Sequence, residues 1–277
     1  MMKAFFKTRT LAQILILCLV FTLFGCAAAV NEKPSPGAAR QFLKLRGYNF
    51  DEKSFLSAAA ANDVIAVNAF IAAGINPNAK NEESGAPALV SAAAHGDMEI
   101  VKALLTAGAN VNERDKAGFS ALLRALQSKQ DEVAEVLLAQ QNLDLNAQGS
   151  NGVTVLMSYV GQDRADMVQD LLARKADVNL RDADGDTALH AAAQHGNVNI
   201  LEMLISHGAD PNAKNKLGGT PLMWAGVFGH EQAARLLLEK GADAGLKDED
   251  GMTAAAWATK NKRDDVAHLL LEAEKKR

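Results

Sequence analysis

The chain has 277 residues, of which 48% are hydrophobic, 22% charged and only 5% aromatic, and its formal net charge is −4 at pH 7. That mild acidity argues against nucleic acid as a partner, since such binding depends on a clustered basic face. Both cysteines, Cys18 and Cys26, fall within the first 26 residues, so the rest of the chain has no thiol for a disulfide or a cysteine-based metal site.

Lys3, Lys7 and Arg9 precede the apolar run 11–24, the order of a secretion signal. Leu23-Phe24-Gly25-Cys26 resembles the bacterial lipobox, in which the cysteine is lipidated and becomes the mature N-terminus, although Phe24 is bulkier than that motif usually has. Two other outcomes stay open: cleavage beyond Ala27-Ala28-Ala29, or retention of 11–30 as a short membrane span. Ala27 after the cysteine resembles lipoproteins sorted to an outer membrane, which implies a periplasmic location. From Cys26 onward the chain keeps 26 basic residues against 33 acidic ones, a charge of −7. The organisation expected is a signal over 1–25, a tether over 26–37 and a repeat domain over 38–277.

Asn31–Gly37 has two prolines and no apolar side chain, the composition of a tether. The stretch 38–46 is predicted as a helix with Phe42, Leu43 and Leu45 apolar, ended by Gly47. It is expected to cap the unit 54–78, where Phe55, Val64, Val67, Phe70 and Ile71 need cover. Ser54 is the expected N-cap of that unit's first helix.

The next 200 residues repeat one pattern, clearest over 182–214. Asp184-Gly185 suits a tight turn, because glycine reaches positive φ freely. Thr187 stands before Ala188–Ala193, a short run of small helix formers that Gly196 stops. Ile200, Leu201, Leu204 and Ile205 then recur at helical spacing before His207-Gly208. Turn glycines fall at 85, 118, 152, 185, 218 and 251, spaced by 33, 34, 33, 33 and 33 residues. The second helix recurs as VKALLTAGANVN, VAEVLLAQQNLDLN, VQDLLARKADVN, LEMLISHGADPN and ARLLLEKGADAG. A helix pair this small cannot enclose a core, so each must bury its apolar faces on copies of itself.

These residues resemble the ankyrin repeat, D-x-x-G-x-T-P-L-H-x-A-A followed by a second helix and G-A-D-x-N. The resemblance covers residues 48–277 in seven units, of which the first lacks a proper hairpin. It implies an all-α solenoid of helix pairs with hairpin fingers and an N-terminal capping helix. Departures cluster in the middle. Where Gly96, Gly196 and Gly229 separate the two helices, the third and fourth units have Lys129 and Asp163, and the loop 140–144 is one residue longer than 106–110 and has no glycine.

No nucleotide-binding, hydrolase or zinc motif is present. His95 and His195 lie three units apart, too far to share a metal at about 8–10 Å per helix layer. His190, at the histidine of T-x-L-H, implies a hydrogen bond between neighbouring hairpins, whereas His207 and His230 are expected on the surface. The acids Asp184, Asp186, Glu249 and Asp250 read as solvated finger residues. No cofactor, metal or catalytic residue is expected.

The resemblance implies that finger tips and the ends of first helices line a concave groove for another protein. Those positions include Ala86, Phe119, Val153, Asp186, Gly219 and Met252 on fingers. On first helices they include Gln127, Gln162, His195, Val227 and Phe228. The partner-binding set expected is Phe119, Val153, Asp186, His195, Val227, Phe228 and Met252, with Cys26 as the lipidation site. Trp224 and Trp257 are expected inside the core. The function expected is a monomeric, envelope-anchored, non-enzymatic module. It either stabilises a periplasmic protein or neutralises a toxin as an immunity protein. The competing classes are an enzyme with an unrecognised site, which a pocket of perturbed titratable groups would reveal, and a structural envelope protein.

Overall fold

The structure is a computed structural model that describes residues 34–276; the signal and Cys26 lie outside the described residues. The chain divides into two compact units between Ala79 and Lys80. Among the described residues there are fifteen α-helices and no strand, only isolated bridges such as Arg114 with Ser120 and Gln148 with Thr154.

In the first unit, α1 (Pro36–Leu45) starts at Ser35, whose hydroxyl accepts from the Ala38 N–H, and it packs on α3 (Val64–Ala72). The expected capping helix therefore forms and covers the expected face. Between α1 and α3 lies α2 (Glu52–Ala60). Its N-cap is Asp51, not Ser54: the helix starts at Glu52, and the Asp51 carboxylate accepts from the Ser54 N–H at 2.7 Å, where its charge also suits the helix N-terminus. Phe42, Phe55 and Phe70 are fully buried. Tyr48 and Phe50, on the link after α1, both pack on the Phe70 ring.

The second unit holds six helix pairs. The first helices are α4 (Ala88–His95), α6 (Ala121–Gln127), α8 (Val155–Gly161), α10 (Ala188–His195), α12 (Pro221–Phe228) and α14 (Ala254–Lys260). Their partners are α5 (Met98–Thr106), α7 (Asp131–Leu138), α9 (Ala165–Ala173), α11 (Val198–Ser206), α13 (Glu231–Glu239) and α15 (Asp264–Lys275). Each first helix packs on the next one in the row. Close approach is possible because the buried contacts include many alanines, such as Ala92, Ala93, Ala192, Ala193 and Ala225. Ser120, Thr154, Thr220 and Thr253 cap their helices with side-chain oxygens, and Thr187 does so in a capping box closed by His190.

Two ladders tie the repeats together. Asn112, Asn179 and Asn212 each donate from Nδ2 to a carbonyl of the next repeat, those of Asn142, Gly208 and Gly241. Their Oδ1 atoms accept the N–H of Asp144, Asp210 and Asp243. This is the physical reason for the Asn that closes G-A-D-x-N: one amide satisfies a donor and an acceptor of the neighbour. On the other side, finger tips join by backbone bonds, Lys116 to Ser84, Ser150 to Ala117, Ala183 to Asn151, Lys216 to Asp184 and Glu249 to Leu217. Gly152 shows why glycine holds the turn. At φ +73° its missing Cβ would sit 2.7 Å from the backbone of Asp182 on the next finger.

The middle is irregular where the sequence departs from the pattern. Lys129 and Asp163 adopt the left-handed conformation, with φ of 57° and 59°. Outer helices pack in the pairs α5 on α7, α9 on α11, α11 on α13 and α13 on α15, but no comparable packing joins α7 to α9 among the described residues. Polar contacts span that gap. Arg174 donates to the Leu138 carbonyl at 2.8 Å, and Arg164 pairs with Glu135 at 3.8 Å while its fork holds Asp166. Inside, the buried Tyr159 ring has its phenol pushed up to about 12 by desolvation.

Candidate functional site

The row of first helices and the fingers beside it form the face on which the candidate residues lie. Phe119 and Val153 follow the turn glycines of adjacent fingers, and Gln127 and Gln162 end the adjacent helices α6 and α8. The structure brings all four together around an open cleft of about 220 Å³, completed by Leu123, Leu126, Asn151 and Ser158. That volume is close to one large side chain. Four apolar side chains form its lining and two Gln, one Asn and one Ser supply neutral donors and acceptors; no titratable group lines it.

Phe119 is half-buried. The Arg124 guanidinium lies 4.2 Å from its ring centroid, and its edge occupies the space where Gly149 would carry a Cβ. Arg124 is fixed in turn by Asp115, with Nε and Nη2 donating to Oδ2 at 2.8 and 2.5 Å. Phe119 is thus a positioned ring rather than a loose one. Val153 is half-buried beside it.

A second apolar area lies on α12 and α14. Phe228 is 38% exposed at the end of α12 and stacks between Trp224 and His230, at centroid distances of 6.0 and 6.3 Å. Val227 and Met252 are half-exposed. Trp224 and Trp257 are not core residues as the sequence suggested; both are half-exposed on this face. Their positions correspond to Arg124, one turn before the helix end, and they use the same finger residue differently. Trp257 donates from Nε1 to Asp248 at 2.6 Å, and the Lys260 ammonium lies 4.4 Å from its ring centroid. The equivalent of Asp248 is Asn215, whose Oδ1 accepts from the Leu217 and Gly219 N–H groups and whose amide donates to Asp186. Trp224 Nε1 is therefore buried without an acceptor.

The remaining candidates are placed elsewhere or otherwise engaged. His195 is exposed at the end of α10, and Asp186 is half-buried, accepting from Asn215. Ala86, expected on the groove, is 8% exposed and belongs to the core. His207 is exposed as expected, but His230 is half-buried: it bonds the Gln194 carbonyl at 2.9 Å across repeats. His190 is 2% exposed, and its Nδ1 accepts from the Thr187 N–H at 3.1 Å. The ring proton is consequently on Nε2, donated to the Gly219 carbonyl of the next finger at 3.2 Å, the inter-hairpin bond expected of this residue. Burial holds this imidazole below its ordinary value.

One exposed residue escaped the sequence reading. Leu217, at the tip of the finger 214–219, is 69% exposed. The signal was legible: the residue before the turn glycine is Ser84, Ala117, Asn151, Asp184 or Asp250 in the fingers of other repeats, all small or polar where this finger has leucine. Among the described residues no group of three or more His, Cys, Asp or Glu is placed to hold a metal ion.

No curated protein matches the chain. A family model described as Ankyrin repeats (3 copies) matches residues 55–149, 140–215 and 208–277, a family whose members are typically non-catalytic and bind proteins. With that match running almost without interruption through helix pairs, finger rungs and asparagine ladders, the chain belongs to the ankyrin repeat family.

Proposed function

We propose that this protein is an exported, lipid-anchored docking module that holds one folded partner protein on its finger-and-first-helix face and performs no turnover. The observation that carries the reading is the cleft formed by Phe119, Val153, Gln127 and Gln162. Two repeats each contribute an apolar finger residue and an amide to it, although the repeat needs neither for folding. Apolar centres with neutral hydrogen-bonding rims are the usual anatomy of a protein interface. The anchored part of the proposal, a module at a membrane surface facing the periplasm, is supported by the order of basic residues, apolar run and Leu23-Phe24-Gly25-Cys26.

The test is affinity capture from a detergent-solubilised envelope fraction, comparing wild type with Val153→Asp. The expected result is one protein recovered in a fixed ratio with wild type and lost with the variant, whose circular dichroism and unfolding midpoint stay near wild type. Equal recovery by both, or none by either, would contradict the proposal.

A further inference from the structure

Leu217 is the most exposed large apolar side chain among the described residues. Only its backbone is used by the fold: the N–H donates to Asn215 Oδ1 at 3.1 Å and the carbonyl accepts from the Glu249 N–H at 3.0 Å. The preceding rung, from the Lys216 N–H to the Asp184 carbonyl at 2.9 Å, sets Asp184 on its other side. The apolar tip is therefore flanked by Asp184 in one direction and by Glu249 and Asp250 in the other. These three carboxylates are exposed and form no ion pair among the described residues. Asp115, Asp186 and Asp248 differ, engaged by Arg124, Asn215 and Trp257. The bases on these fingers are Arg181, Lys214, Lys216 and Lys247, of which Arg181 and Lys214 donate to the Lys214 and Lys247 carbonyls, and they are outnumbered by the acids Asp182, Asp184, Asp186, Asp248, Glu249 and Asp250.

An exposed leucine between free carboxylates is complementary to the reverse pattern, an apolar side chain flanked by lysine or arginine. We propose that the tips of the three fingers 182–186, 214–219 and 248–252 receive a cationic amphipathic segment of the partner protein. An apolar residue of that segment packs on Leu217 while its basic residues pair with Asp184, Glu249 and Asp250. This rests on the protein-docking reading above and names the chemistry of the partner. Leucine alone accepts any apolar surface, whereas the carboxylates reject an acidic one by like-charge repulsion and hasten encounter with a basic one.

The test replaces Leu217 by a diazirine analogue of leucine in the full chain and crosslinks in the cells that export it. A second probe at Gln162 reports on the cleft. The expected product at 217 is a single protein joined through a segment with lysine or arginine beside an apolar residue. Its yield should fall at least tenfold when Asp184→Lys and Glu249→Lys are combined, with an unchanged unfolding midpoint. A neutral or acidic crosslinked segment, or a yield that ignores the charge reversal, would overturn the proposal. So would capture at 162 with none at 217, which leaves the docking function standing; failure at both positions overturns the two together.

Discussion

Lys129 and Asp163 show how two side chains in the same strained backbone state differ in what they cost. Both have positive φ at a helix stop where Gly96, Gly196 and Gly229 sit in other repeats. For Lys129 the strain has no evident return, so Lys129→Gly should stabilise by up to ~1 kcal/mol in urea denaturation. Asp163 accepts a hydrogen bond from Asn197 Nδ2 of the next repeat, and Asp163→Gly should change stability little, because the lost bond offsets the relieved strain. His190 gives a pH-dependent case. Its folded-state value is lowered, chiefly by burial, so the unfolded chain binds the proton more readily. Stability from this site is full above the unfolded value near 6.5 and falls as the pH drops below it. The advantage of wild type over His190→Gln in unfolding free energy should thus shrink between pH 7 and pH 5. A constant difference would show that His190 does not titrate in that window.

At the scale of elements, stability in a repeat stack is roughly a sum of unit and interface terms, and the weakest interface opens first. That interface is the one between α7 and α9, where outer-helix packing is replaced by Arg174 on the Leu138 carbonyl and Arg164 between Glu135 and Asp166. Amides of α7 and α9 should exchange hydrogen faster than those of α11 and α13, and Arg174→Ala should widen the contrast. Uniform protection across both pairs would show that the polar bridges hold as well as packed helices. The position of this seam was legible in the sequence, because the extra residue in 140–144 falls between two adjacent units whose stops, Lys129 and Asp163, replace the glycine of Gly96, Gly196 and Gly229. The sides of α12 and α14 were less legible. Trp224 and Trp257 look like core on hydrophobicity alone, yet they stand where Arg124 and Ser158 stand in other repeats, a face left partly open by the packing. Cap choice was equally ambiguous, since Asp51 and Ser54 are both good N-caps and only the start of α2 decides between them.

For the whole molecule, the repeat spacing revealed the architecture while the partner was unreadable, because many repeats build the fold whereas single side chains such as Leu217 and Phe228 build an interface. The anchoring proposal predicts acyl mass on Cys26 and co-fractionation with membranes, and Cys26→Ser should leave the chain soluble or unprocessed. A wild-type protein that is freely soluble after export would contradict it. The central claim, that the protein binds without turnover through the finger-and-first-helix face, is tested most directly by titrating the captured partner into the purified protein. Phe119 is half-buried and Phe228 is exposed, so alanine should cost less than the about 3–5 kcal/mol typical of a core phenylalanine. As interface anchors they should each contribute about 2 kcal/mol to binding, a loss of roughly thirtyfold in affinity. Calorimetry should show one partner per chain with wild type and that loss with Phe119→Ala or Phe228→Ala, both variants still folded at the working temperature. Full affinity in both folded variants would place the partner on another surface and contradict the account.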